Sequence, residues 1–399
     1  VTGGVATTIR RQWWAWAVAV LLIVAAAAPL VLQWLTNPDD QRLVDLDVYR
    51  TGGEMLLQGR PVYDFFTPAP QLLPFTYPPI AAMLAVPLAE LPWTTAQWVW
   101  TVGIFVSLGV TVAFAFRQVL TRREVQARYA PWLFALLMIA CTYLMPIRDQ
   151  VRFGQVDILL VALCVADCLA KRPWWPRGFL IGLATAVKLT PGVFLIYLLV
   201  TRQWRTFWMA SFVTALLTLL PFAVIPKDAA DFWFKALLDP ERLGANAATT
   251  NQSIRAMLLR LYLPSDTLTW ALWLVLVAVV GWYGFRAAKR ALDAGDETTA
   301  VALTGLMAVL LSPVAWIHHL AWVVVVLAAI VGDGRDRVRL WVAGGVWLYY
   351  VVPVPWWGVS LKVAGWNVVG KIVQDGFGLG ALFLVWLLAS WLPKRRGIS

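Results

Sequence analysis

Runs of some twenty apolar residues recur from one end of the chain to the other, and this recurrence constrains the fold more than any motif does. A backbone passing through lipid must satisfy its own N–H and C=O groups, which leaves helices or closed barrels. Barrel strands alternate apolar and polar residues over about ten positions, and these runs do not alternate. The 399 residues are 60% hydrophobic and 14% charged, against about 25% charged for a soluble domain. The chain therefore reads as an all-α polytopic membrane protein, a single domain over residues 1–399. Many of its 25 tryptophans stand at segment ends (Trp13, Trp14, Trp174, Trp175, Trp356, Trp357), where indole suits the membrane interface.

Crossings are expected at about 13–35, 95–116, 130–146, 157–170, 206–226, 266–286, 298–317, 319–332, 338–353 and 372–392. Residues 177–201 read as two half-crossings, because VKLTPG interrupts the run and arginines flank both ends. The total is about 11–12 helices with both termini cytoplasmic. Residues 36–94 form an outer loop plus a re-entrant element, since Pro78, Pro79, Pro87 and Pro92 punctuate 75–92. Residues 227–265 form a second large outer loop. The segments placed inside hold 20 Lys+Arg against 6 Asp+Glu, and the remaining chain 13 against 16. Basic residues thus gather where the register puts the cytoplasm. The same bias accounts for the net charge of +11, so no nucleic acid partner is expected. Cys141, Cys164 and Cys168 lie in apolar runs without CxxC spacing and read as buried thiols.

With this register, the unusual polar residues return to one outer face from six segments distant in sequence. They include Asp45, Asp47 and Tyr49; Tyr77; Arg148, Gln155 and Asp157; Lys188; Asn251 and Arg255; and His318 with His319. Charges near hydrocarbon cost several kcal/mol unless paired or wet, so such a set points to a site. Asp45, at the mouth of the first loop, suits a general base unless Arg42 or Arg50 pairs with it. Lys188 has no acidic residue within ten positions. It suits a phosphate, with Arg255 and Arg148 completing a clamp. His318 and His319 are the only histidines; neighbours on a helix diverge by about 100°, so they are not expected to share a metal. One of them suits proton handling or phosphate binding.

VDLDVYRTGG, GRPVYD, PFTYPP, FGQVD, KLTP, NQS and SPVAWIHH follow one another in this order. The series resembles the polyprenyl-phosphate-mannose-dependent α-1,2-mannosyltransferases, glycosyltransferase family 87 of the GT-C superfamily, over roughly residues 40–325. The resemblance implies a GT-C bundle whose first periplasmic loop carries the catalytic aspartate, here Asp45 rather than Asp47. It implies a lipid-linked donor, polyprenyl-phosphate-mannose, and a glycolipid acceptor, a phosphatidylinositol mannoside or lipomannan. The active site would face the outside of the plasma membrane, among membrane lipids. No cofactor is implied and a divalent metal is not expected, although DLD at 45–47 resembles a D-x-D motif. His318 and His319 map onto the family's paired histidines. Where relatives read F-G-Q-[VI]-N, this chain has Asp157, so the role of that position stays open. An inverting transfer would use Asp45 as base. Lys188, Arg255 and Arg148 would take the donor phosphate. Tyr49, Tyr77, Gln155, Asn251 and Asp47 would face sugar or acceptor. The competing class is a transporter of a polyprenyl-linked sugar, which should carry its key charges near the midplane on paired broken helices.

Overall fold

The computed structural model describes residues 3–38, 41–126, 128–239, 242 and 244–395. Among these, regular structure is helical apart from two isolated bridges, Phe66 with Pro74 and Asn251 with Trp316. In chain order the main helices are α1 (Gly3–Leu35), α2 (Val44–Leu57), α3 (Pro79–Ala89), α4 (Trp93–Ala115), α5 (Ala130–Thr142), α6 (Met145–Phe153), α7 (Asp157–Leu169), α8 (Phe179–Val187) and α9 (Val193–Val200). There follow α10 (Trp204–Val224), α11 (Asp266–Asp293), α12 (Glu297–Leu310), α13 (Val323–Val331), α14 (Arg337–Val351), α15 (Val354–Val363) and α16 (Gly376–Arg395).

Five helices are long and apolar enough to cross a bilayer: Trp13–Leu35 of α1, α4, α10, α11 and α16. Two bent pairs raise the number to seven, α5 with α6 at 74° and α14 with α15 at 53°. The protein is thus a multi-pass membrane protein, and seven of the 11–12 expected crossings fall on a helix or bent pair of that length. The other expected crossings fall on shorter apolar helices. The runs at 157–170, 298–317 and 319–332 fold as α7, α12 and the segment Ile317–Val331. At 1.5 Å per residue, helices of 13 and 14 residues reach roughly 20 Å, short of a hydrocarbon core of about 30 Å. Every residue of α12 but the exposed Glu297 is buried, and so are eight of the nine in α13. A helix apolar on all sides is enclosed in a protein core or spans a membrane, and these form the centre of the bundle.

The long helices carry one buried stripe and one outward face. In α4 the stripe is Ile104, Leu108, Val112 and Ala115, spaced to fall on one side of a helix. In α10, Trp208, Phe212, Leu216 and Leu219 point outward, as lipid contact requires. The interruption expected in 177–201 is present: α8 ends at Val187, Lys188 is extended (φ −148°, ψ 133°), and a 3-10 turn at Thr190–Gly192 leads into α9.

Several local features aim chain segments at one place. α6 ends on Gly154 in the left-handed conformation (φ 70°), a common helix stop. The turn brings the α6 end against the start of α2, where Leu43 N donates to Arg152 O at 3.3 Å. Trp100 Nε1 donates to Gly154 O at 2.7 Å, which ties the turn to α4. Val48, Val62, Tyr63, Phe65, Phe75, Ala82 and Phe232 form a separate apolar cluster. Asp228 Oδ1 accepts from Val62 N at 2.7 Å and joins the segments 36–94 and 227–265.

A Cβ at Gly154 would stand 2.8 Å from Leu46 Cβ, and left-handed backbone costs an L-residue about 1–2 kcal/mol before any clash. Gly154→Ala is therefore expected to lower the melting temperature in detergent by several degrees. Unchanged melting would show that the turn is not under this constraint.

Candidate active site

Asp45 lies in the first turn of α2 and is half-buried. The neighbouring arginines do not take it. Arg50 pairs with Glu54 at 2.6 Å, and Arg42 donates to Leu35 O at 3.0 Å. Gln155, just past the Gly154 turn, hydrogen-bonds the Asp45 carboxylate. Its amide is oriented by two tyrosines: Tyr49 Oη and Tyr77 Oη lie 2.9 Å apart and donate to Gln155 Oε1 at 3.1 and 3.3 Å. With the amide oxygen so occupied, the amide N–H group is the part left to face Asp45. Burial pushes the Asp45 carboxyl up to about 7. The hydrogen bond from Gln155 and the charge of Lys188 oppose this rise, and the charge of Asp157 adds to it. A carboxyl poised near neutrality is what a general base at neutral pH requires.

Beside it is a second, drier cluster. Lys188 Nζ lies 2.8 Å from Asp157 Oδ1 and 3.0 Å from His319 Nε2, and 5.3 Å from the Tyr77 ring centroid. His318 Nε2 and His319 Nε2 are each 3.8 Å from Asp157 Oδ2. The two imidazoles meet edge to face, centroids 4.7 Å apart. The divergence expected of helix neighbours does not hold here. The pair opens a 3-10 segment, Ile317–Trp322, after an extended Trp316, and both rings turn toward Asp157. Asp157, at the start of α7, is thus the centre of the cluster, and the extended backbone at Lys188 takes the lysine off the α8 axis to meet it.

Sequence reasoning passes over the residue that holds these parts in register. Gln150 is fully buried; its Nε2 donates to His318 O at 2.8 Å, and its Oε1 accepts from Ile158 N at 3.3 Å. An amide in a nine-residue helix, MPIRDQVRF, is a weak signal beside three charged neighbours.

The remaining expected site residues lie elsewhere. Asn251 is fully buried. Its Oδ1 accepts from Ser253 N and Ala315 N, and its Nδ2 donates to Asn246 O. Gln252 N donates to Ala315 O, and Ser253 Oγ to Pro313 O. NQS is therefore a clamp on the SPVAW loop preceding the histidines. Asp47 feels Arg50 and Glu54 rather than the cluster. Arg148 lies on α6 beside Asp149. Arg255 is buried and stacks on Trp270 at 4.1 Å, with Nε and one terminal nitrogen unpaired. Among the described residues, no hydrogen bond or ion pair joins Arg148 or Arg255 to Lys188.

Asp157, His318 and His319 each bring a ligand atom within 4.8 Å of the others, a set that could hold a metal ion. The ammonium of Lys188 already stands against two of the three, at 2.8 and 3.0 Å. A divalent ion bound by all three would have to displace it.

Two carboxylates, two imidazoles and a lysine gathered among broken helices form the candidate site. Residues 75–313 match glycosyltransferase family 87, and the chain belongs to that family. It is 35% identical to the polyprenol-phosphate-mannose-dependent α-(1-2)-phosphatidylinositol mannoside mannosyltransferase of Mycobacterium tuberculosis, over 83% of this chain and 79% of that protein. It is 34% identical to the protein of that name in Mycolicibacterium smegmatis, over 85% and 79%. To the phosphatidylinositol pentamannoside mannosyltransferase of M. smegmatis it is 30% identical, over 84% and 81%. No solved structure matches. Family membership decides against the transporter reading.

Gln150→Leu leaves the His318 carbonyl and the Ile158 amide buried without partners, at about 1–3 kcal/mol for each group. The variant is expected to melt lower and to lose activity with Asp45 intact. A variant indistinguishable from wild type in both respects would remove Gln150 from the site.

Proposed function

We propose that the chain transfers mannose from polyprenyl-phosphate-mannose to a phosphatidylinositol mannoside, forming an α-1,2 linkage with inversion at the outer face of the plasma membrane. The single observation that carries the chemistry is Asp45, a half-buried carboxylate pushed up to about 7, set beside a cluster that can take the leaving phosphate. The names of the relatives supply the donor and acceptor. The excess of basic residues in the segments assigned to the inside supplies the orientation, with both termini cytoplasmic. Asp45 removes the proton from the acceptor hydroxyl as it attacks the sugar. Lys188 neutralises the phosphate as it leaves, and a charge already in place costs no reorganisation during reaction. Arg255 stacks on Trp270, apart from this cluster, and has no part in holding the phosphate. Tyr49, Tyr77 and Gln155 stand on the Asp45 side of the candidate site.

The test is transfer of radiolabelled mannose from polyprenyl-phosphate-mannose by purified protein in proteoliposomes. Phosphatidylinositol mannosides and lipomannan fragments would be offered as separate acceptors. Asp45→Asn is expected to lose about 10²–10⁴ in rate while remaining folded. Transfer at the wild-type rate would remove Asp45 as base. Transfer to lipomannan fragments alone would keep the chemistry and change the acceptor.

The pH dependence has a definite sign. A base must be deprotonated to act, so kcat/KM is expected to fall with falling pH below about 7, with one proton taken up. Lys188 lowers the Asp45 value through its charge, so Lys188→Met should move this acid limb to higher pH. A limb near 4, or one that moves down in the variant, would contradict the assignment.

A further inference from the structure

The Asp157–Lys188–His319 contacts carry information about a proton that no distance to substrate is needed to read. Lys188 Nζ is ion-paired with Asp157 Oδ1 at 2.8 Å and also meets His319 Nε2 at 3.0 Å. An ammonium has three donors and no acceptor. In the contact with His319, Lys188 must therefore donate, and His319 Nε2 must present its lone pair. A neutral imidazole with a bare Nε2 carries its hydrogen on Nδ1. That Nδ1 is buried and has no hydrogen-bond partner. A buried donor without a partner costs about 1–3 kcal/mol, so its retention calls for an oxygen that arrives from outside the protein.

We propose that Lys188, held by Asp157, is a positioning residue that fixes His319 as its Nδ1–H tautomer, so that His319 serves as a neutral hydrogen-bond donor to a phosphate oxygen of the bound lipid-linked sugar. This rests on the transferase reading and deepens it. It leaves proton removal to Asp45 alone: His319 gives a hydrogen bond and transfers no proton. It also separates two roles for the lysine, a charge near the phosphate and a lock on the imidazole. His318 is not locked in this way. Its Nε2 stands 3.8 Å from Asp157 Oδ2, beyond hydrogen-bond length, and Lys188 does not reach it among the described contacts.

The chain has only two histidines, so the tautomer is directly observable. Protein with ¹⁵N-labelled histidine, reconstituted in lipid, would be examined by magic-angle-spinning NMR. His319→Gln assigns the signals by subtraction. The expected result is a His319 ring with a protonated Nδ1 and a bare Nε2 at neutral pH. Lys188→Arg, which keeps a donor-only cation, should retain this form. Lys188→Met should lose it, with Nε2–H signal appearing. A His319 ring carrying its hydrogen on Nε2 in the wild type would overturn the proposal, as would an unchanged Nδ1–H form in Lys188→Met. Movement of both histidines' bare nitrogens on adding Zn²⁺ at micromolar concentration would overturn it in favour of a metal site. Adding polyprenyl phosphate should shift the His319 Nδ1 resonance alone. The tautomer is read without any transfer assay, so failure here and failure of the transferase reading are separate results.

Discussion

The ion pair between Asp157 and Lys188 is the contact on which the rest of the site depends. Both side chains are nearly buried, and dehydrating two charges costs several kcal/mol per ion. A pair of apolar residues at these positions would serve stability as well or better. The pair instead sets three other features. It fixes where Lys188 points, it places negative charge where both imidazoles meet, and it lowers and raises the Asp45 carboxyl through opposite charges. Loss of either partner would leave the other buried alone, at about 3–5 kcal/mol.

The fold supplies this pair by breaking helices. α6 stops at Gly154, α8 stops before an extended Lys188, and the histidines open a 3-10 segment after an extended Trp316. Irregular backbone at membrane depth is tolerated where protein surrounds it or water reaches it. Here the surrounding protein is the buried centre made by α12 and α13, and the NQS clamp pairs the free backbone of the loop between them. Each break turns a polar side chain off its helix axis into a shared space, which unbroken helices of this composition could not do.

Much of this is legible in the sequence, for a physical reason. Asp45, Tyr49, Tyr77, Gln155, Lys188 and the histidines stand out because polar groups amid apolar runs are costly without a purpose. What is not legible is who meets whom. Lys188 has no acid nearby in sequence because its partner is 31 residues away, and its imidazole partner is 131 residues away. Asp157 reads as a departure of open meaning until that geometry is seen. Asn251 reads as a site residue for the same reason that it is a clamp: a buried amide must bond to something, and sequence does not say whether that is a sugar or a loop. Which of the shorter runs cross is not legible either, because α7, α12 and Ile317–Val331 are as apolar as lipid-facing helices, and hydropathy does not separate the two surroundings.

The central claim is that Asp45 and the Asp157–Lys188–histidine cluster face the two ends of one lipid-linked sugar. The most direct measurement is the structure of the protein in a lipid nanodisc with a non-hydrolysable polyprenyl-phosphate-mannose analogue bound. The sugar should lie between Asp45 and the cluster, with a phosphate oxygen within hydrogen-bond distance of Lys188 or His319. A bound analogue whose phosphate rests on Arg255 and Trp270, with its sugar out of reach of Asp45, would contradict the account.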